Sequence, residues 1–511
     1  MFYFTLGNFP PSLRSHLDFI FLLGIGRAAD LKGAGIEDML KPLVAELKLF
    51  SRGVTMKVAG QSKKIFGFPL LFLGDTPAAN HLFGLKEGVG TSFRKCLQCF
   101  ASRDDMCTKV DLTFFRKRKL EDHLVAASQI EMEGKDSGKT SMETGITRLS
   151  SLFSLSACCN FQPFEQCPDD VMHVLFEGIV PSVMKKFFSL LHAEKLISNS
   201  DVPLFEREIR FFRYHKQDIS SAPTRINFNA YFDANACLHL TAKNQWTLLM
   251  TLPFYKFPFD IKQRPEWEIM KILLKLSSLL MARKFRSKTL IEIKATTHIF
   301  LRKFSSLFPQ KGFIPKFHYL LHLVDNISKI GPPSSFWSMR FEAKHHVIKN
   351  ALKFSNYRNV QKNISAHHAI HVAWMSVISL DVLADNESGM ECLCANRRGN
   401  ENNLLTNLRS ITSRGYKYFP GSILLTTRNG PVSFSKIMSF YKCRIHSTIV
   451  FDLLELHTLD FDENINSFLL SPTNTQRRLH CTHLPDFEPL SSYPFDNHKE
   501  TLAVPLKRVI V

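Results

Sequence analysis

The chain has 511 residues, 45% apolar and 22% charged, a length for about three packed units and a composition that excludes a disordered or fibrous protein. Lysine and arginine number 65 against 46 acidic residues, a formal charge of +19, which points to a polyanionic partner, nucleic acid before an anionic membrane surface. No apolar run approaches the ~20 residues of a membrane span, the start MFYFTLGNFPPSLRS lacks a signal-peptide pattern, and eleven cysteines, an odd number, fit reduced thiols in the nucleus or cytoplasm better than a disulfide scaffold.

In chain order, residues 2–6 and 17–25 read as strands around the turn Gly7-Asn8-Phe9-Pro10-Pro11. Ile36, Met39, Leu40, Leu43, Val44 and Leu47 recur at helical spacing and predict an amphipathic helix with Pro42 in or near its first turns. The run from Phe66 to Asp75 is apolar on both alternations, which predicts a central strand covered on both faces. Residues 128–148 are polar and poor in large apolar groups, the pattern of a flexible surface connection. Helical periodicity dominates from about 150 to 310, as in Val180–Leu191 and Trp267–Leu280. A second polar link follows at 385–404, then strand-like segments at 421–426, 447–454 and 502–511.

Four constellations could carry chemistry. Asp75, at the end of its apolar run, either projects a carboxylate into a ligand crevice, where a cation would offset its burial, or caps a helix that begins at Thr76-Pro77. Cys96-Leu97-Gln98-Cys99 has the spacing for two thiolates to reach one Zn²⁺, or is a pair of buried thiols; Cys107, His81, Cys158, Cys159, Cys167 and His173 are the candidates to complete a site. Asp170, His173 and Glu177 fall on one helical face, suited to a cation or to a helix start capped by Asp169 or Asp170. Glu342 shares a stripe with His345 or His346, Lys349 and Lys353, either a metal ligand beside phosphate contacts or an exposed salt-bridged helix. Residues 311–362 hold nine Lys or Arg against Asp325 and Glu342 alone, so basic charge gathers beside that acid.

Taken together, the order of Tyr3-Phe4-Thr5-Leu6-Gly7-Asn8, Gly74-Asp75 with Ala78-Ala79-Asn80, Cys96-x-x-Cys99, Asp170-Val171-Met172-His173, Lys316-Phe317-His318-Tyr319-Leu320-Leu321-His322, Gly331-Pro332 and Met339-Arg340-Phe341-Glu342-Ala343-Lys344-His345 resembles the transposase-domain proteins of animals related to CACTA/EnSpm transposons and, more distantly, to hAT transposases. The resemblance runs from Met1 to about His371, and residues 405–511 look like the β-rich tail of such proteins.

The resemblance implies an α/β, RNase H-like core in which three acids hold two divalent ions, Mg²⁺ or Mn²⁺, for DNA cleavage and strand transfer. It places Asp75 as the second acid, Asp170-x-x-His173 as the signature that follows it, and Glu342 as the terminal acid. The first strand and its Asp would then precede Phe2, so the expectation is an N-terminally incomplete core, inactive as a DDE-type nuclease. In the competing register Asp75, Asp170 and Glu342 form a complete triad. A third reading is a retained binding module in which Arg340, Lys344, Lys349, Lys353 and Arg358 meet DNA phosphates and the C-terminal domain recruits protein.

The expected division is residues 1–130 as the first part of the core with the Cys-x-x-Cys element, 131–150 as a flexible linker and 151–310 as a helical insertion. The last part of the core, with the terminal Glu helix, follows at 311–384, then a linker at 385–404 and a β-rich accessory domain at 405–511. Expected partners are DNA, at transposon ends or without sequence preference, and a second copy of the chain as a homodimer; no membrane or small-molecule substrate is expected, and the expected compartment is the nucleus or the cytoplasm.

Overall fold

A computed structural model describes residues 1–88, 93–233, 236, 238–257, 260–309, 313–353, 357–384, 405–413, 416–426, 432–443, 449–484, 487–496 and 500–509. Helix and sheet are mixed, in two compact units: residues 1–179 with 280–373, and residues 180–279 with 374–510. None of the described helices is long and apolar enough to cross a membrane. The expected linker 385–404, with Cys392 and Cys394, lies outside the described residues.

In the first unit the opening strand, Phe2–Phe4, pairs antiparallel with Phe21–Gly24, Tyr3 facing Leu22. The helix read from periodicity spans Glu37–Arg52, acids in its first turn and Arg52 in its last, as the helix dipole favours. It stops at Gly53, whose φ of 88° suits a residue without a side chain. Leu40 and Val44 pack from it into a cluster with Ala79, Leu82, Phe83, Phe153 and Phe161. A hairpin follows, Val54–Val58 with Gln61–Ile65, turned by Ala59 and Gly60, both at positive φ, the type I′ geometry that matches strand twist.

Two expectations fail in this unit. Phe66–Asp75 forms neither strand nor helix and joins no ladder among the described residues. The four strands before it pair among themselves, and its own backbone bonds to single groups, Gly67 N–H to the Phe50 carbonyl and Phe72 N–H to the Gln166 carbonyl. Phe66, Phe68 and Leu70 are consequently exposed, and Phe72 carries the burial, packing edge-on to Phe83 and Phe161. Residues 128–148 are no flexible linker either: they lie in the helices Leu120–Glu133 and Gly138–Thr144 and the turn after them. Their few apolar side chains suffice because Ile130 and Ile146 meet Ala126 and Ala127 in one small buried cluster, leaving the polar residues outside.

The second unit joins the helices Val180–Ala193, Val202–Phe211, Ala242–Thr251 and the bulk of Trp267–Leu280 to an antiparallel sheet. The sheet runs Tyr493–Asp496, Thr501–Pro505, Ser467–His480, Ile449–Asp462, Phe434–Cys443, Leu405–Asn407, with Ile423–Leu425 also on Phe434–Cys443. The β-rich residues are therefore not a free-standing domain beside a helical insertion of 151–310; helices from 180–279 share their unit. Trp267 Nε1 donates to the Asn464 carbonyl at 2.9 Å, and buried Asn466 donates to Ser278 Oγ at 2.6 Å.

Asp218, 1% exposed, accepts from Tyr493 Oη at 2.6 Å and pairs with the Lys507 ammonium. Burial pushes the Asp218 carboxyl up, but Lys507, Tyr493 and Ser491 outweigh it and hold the group below its ordinary value.

Candidate metal centre and adjoining polar cluster

The Cys-x-x-Cys turn and one helix of the first unit converge on a single point. The helix Pro315–Ile330 starts with Pro315 in its first turn, where the missing N–H costs nothing, and carries His318 and His322 four residues apart on one face. Both rings are buried. Opposite them, residues 98–100 run against 116–118: Phe100 N–H donates to the Arg116 carbonyl and Arg118 N–H to the Gln98 carbonyl. Arg118 Nε holds the Cys96 carbonyl at 2.8 Å. Asn80, from the Ala-Ala-Asn stretch, holds the Lys95 carbonyl at 3.0 Å, so the chain entering the turn is fixed from two sides.

Cys96 Sγ lies 3.4 Å from His322 Nε2, Cys99 Sγ lies 3.3 Å from His318 Nε2, and the two Nε2 atoms are 3.1 Å apart. All four ligand atoms fall within 4.8 Å of one another. A tetrahedral Zn²⁺ with bonds of ~2.0–2.1 Å to nitrogen and ~2.3 Å to sulfur would set its ligands about 3.3 Å (N to N) and about 3.6 Å (N to S) apart, close to these distances. Burial, then the Cys99 thiol, push the Cys96 thiol up to about 11, which a divalent cation would reverse by favouring thiolate. This buried cluster could therefore hold a metal ion such as zinc.

Of the residues expected to complete the site, Cys107, His81, Cys158, Cys159, Cys167 and His173 all lie outside the cluster. His81 is held by Glu87 and the Leu31 carbonyl, and Cys158 and Cys159 face each other at 3.4 Å. The two ligands missed from sequence, His318 and His322, stood in a quoted motif. Their i, i+4 spacing on a helix is the signal that could have found them.

One peptide away from the metal centre's surroundings lies a second polar cluster. Asp169, half-buried, accepts from Gln98 Nε2 at 2.9 Å, and burial pushes it up to about 7 against the pull of His322. Asp170 points elsewhere. Its Oδ1 accepts from the Met172 and Ser338 N–H groups at 3.3 and 3.2 Å, and its Oδ2 meets His173 Nδ1 at 2.6 Å and the Ser338 hydroxyl. Asp170 thus serves the cap role and also aims the imidazole.

His173 is the second residue of a π-helical stretch, Met172–Ile179, a backbone form frequent at functional sites. Its Nε2 lies 3.3 Å from Glu342 Oε1 and 3.8 Å from Glu177 Oε2. Glu342, in the first turn of the helix Met339–Leu352, also accepts from Ser338 Oγ at 3.3 Å. Lys316, half-buried, donates to the Glu177 carbonyl at 2.8 Å while attracted by Glu177, Asp75 and Asp170. It runs so close over Gly178 that a side chain there would collide with it.

Asp75 takes the cap reading: its Oδ1 accepts from Ala78 N–H at 2.7 Å at the start of the helix Thr76–Leu82. The five cations expected at a DNA face divide. Arg340 Nε donates to the Ser15 carbonyl at 2.6 Å and Lys344 Nζ, buried, to the Leu17 carbonyl at 2.9 Å, so both tie the opening segment to the Glu342 helix. Lys349, Lys353 and Arg358 are exposed.

Burial alone would lower the His173 pKa. The Asp170 hydrogen bond and charge, then Glu342 and Glu177, outweigh it and raise the group above its ordinary value. A raised histidine stabilises the fold fully below about pH 6.5 and loses that contribution as pH rises through the folded-state pKa. Asp170→Asn should therefore lower the His173 midpoint in an NMR titration of the imidazole resonances; an unchanged midpoint would show that Asp170 does not carry the shift. Compared with known families and curated proteins, the chain matches no family model and no curated sequence.

Proposed function

We propose that this is a transposase-derived, DNA-associated protein with an RNase H-like core, catalytically incomplete as a nuclease and clasped by a structural Zn²⁺ on Cys96, Cys99, His318 and His322. The observation that carries the reading is the meeting of His173 with Glu342 at 3.3 Å across 169 positions: the Asp-x-x-His signature and the terminal acid, read separately from the sequence, form one cluster. The net charge of +19 and the exposed Lys349, Lys353 and Arg358 support DNA as the partner, and DNA as partner would put the protein in the nucleus.

The donor set argues against the alternative, an active enzyme that uses Asp75, Asp170 and Glu342 with Mg²⁺ or Mn²⁺. Such ions need carboxylate oxygens with lone pairs to spare. Both Asp170 oxygens are engaged in hydrogen bonds, Asp75 caps a helix, and the Lys316 ammonium already supplies positive charge among these acids.

Two assays on the full chain test the reading. In gel shifts with duplex DNA, log affinity should fall linearly with log salt, with a slope near −0.9 per phosphate neutralised; binding indifferent to salt, or none, would overturn the DNA association. On supercoiled plasmid with Mg²⁺ or Mn²⁺, no nicking above the Glu342→Ala level is expected. Nicking abolished by Glu342→Ala would establish the active alternative.

A further inference from the structure

Beside the metal clasp, a cavity of about 450 Å³ is lined by Arg94, Phe100, Asp105, Phe114, Arg116 and Glu143, among others. Its floor is Phe100, whose ring centre lies 4.3 Å from the Arg116 guanidinium and 4.5 Å from that of Arg118. Arg118 is buried and holds the Cys96 and Thr144 carbonyls through Nε and Nη1, so it fixes the floor. The Arg116 side chain is two-thirds exposed, 3.5 Å from Asp122. At the rim, Phe114 is 63% exposed, with Lys109 Nζ 5.2 Å from its ring centre. The wall is continuous with the clasp, because Phe115 packs edge-on against the His318 ring at 4.6 Å.

We propose that this groove binds one unpaired nucleotide of a DNA strand, an inference that rests on the DNA-associated reading above. An exposed aromatic ring beside the Arg116 guanidinium offers a base a π-face and its phosphate a counter-charge, the combination by which single strands are held. The volume lies at the low end of the ~300–1,000 Å³ of small-ligand sites, the scale of one nucleotide and not of a base-paired stack. The groove also carries two carboxylates. Glu143 and Asp105, the latter accepting from Ser102 Oγ at 2.6 Å, are acceptors suited to the exocyclic amino groups of cytosine, adenine or guanine, which thymine lacks. The groove therefore favours an amino-bearing base over thymine.

The test is fluorescence anisotropy of the full zinc-loaded chain with labelled oligo-dC and oligo-dT of about twelve nucleotides, within the ~4–16 of common single-strand sites, and with a duplex. Oligo-dC should bind more tightly than oligo-dT. Phe114→Ala should weaken oligo-dC binding about tenfold, as loss of one stacked base does, and leave duplex affinity unchanged; Arg116→Gln should weaken oligo-dC binding, and Glu143→Ala, which removes one of the two acceptors, should reduce the dC preference. Because Phe114 is mostly solvent-exposed, its removal leaves the fold intact, which an unchanged melting curve verifies. Equal losses for strand and duplex, or no loss for either, overturn the groove while salt-dependent duplex binding keeps the DNA reading. Failure of both strand and duplex to bind overturns both.

Discussion

With the proposed zinc site, Cys99→Ser should cost the protein the ion and much of the stability of its first unit. Structural zinc contributes ~10–16 kcal/mol to folding in small domains; shared among four ligands, that is about 2.5–4 kcal/mol each, or a loss of about a hundredfold or more in Zn²⁺ affinity. The consequence is large because the clasp joins chain segments more than 200 residues apart, and without the ion the Cys96 and Cys99 thiols and the His318 and His322 rings are buried against one another with little else to bond to. Competition with a chromophoric chelator gives the affinity, and calorimetry gives the melting temperature. Cys107→Ser, whose thiol lies outside the cluster, should leave both unchanged. Retention of one zinc at wild-type affinity by Cys99→Ser would refute the site.

The candidate metal site was half legible in the sequence. Cys96 and Cys99 announced themselves by spacing, which is a local property. Their partners lie on another segment, where the i, i+4 spacing of His318 and His322 marks a ligand pair, but which of the distant candidates meets the turn is decided by tertiary packing. Helices were readable wherever one face is apolar, as in Glu37–Arg52 and Trp267–Leu280. The apolar run at Phe66–Asp75 misled because apolar composition predicts burial, whereas a strand also requires a hydrogen-bonding neighbour. The stretch at 128–148 misled in the opposite way: its helices hide only a few small and branched residues, too few to mark a periodic face. The resemblance to transposases gave Asp170, His173 and Glu342, and these three do meet; it gave no hint of Ser338 or Lys316, whose parts come from what they touch.

Asp218→Asn should destabilise the second unit by about 3–5 kcal/mol, the cost of leaving one member of a buried ion pair without its partner. The substitution keeps the size of the side chain, so the loss reports charge and not packing. Asp218 is held below its ordinary pKa, so its contribution is fully present above pH ~3.9, the unfolded carboxylate's value, and disappears as pH falls through the lower folded value. Urea unfolding at pH 7 and near pH 3 measures both effects: the wild-type protein should lose stability between the two, and the variant should lose less. A difference between the two proteins below 1 kcal/mol at pH 7 would mean that Lys507 and Tyr493 find other partners.

Asp169 and Asp170 are consecutive residues just before the helix that carries His173. One of them reaches Gln98 inside the Cys-x-x-Cys turn, and the other reaches His173 and Ser338. Two adjacent residues thus tether both clusters, Asp169 holding the Cys-x-x-Cys turn through Gln98 and Asp170 holding His173 and Ser338.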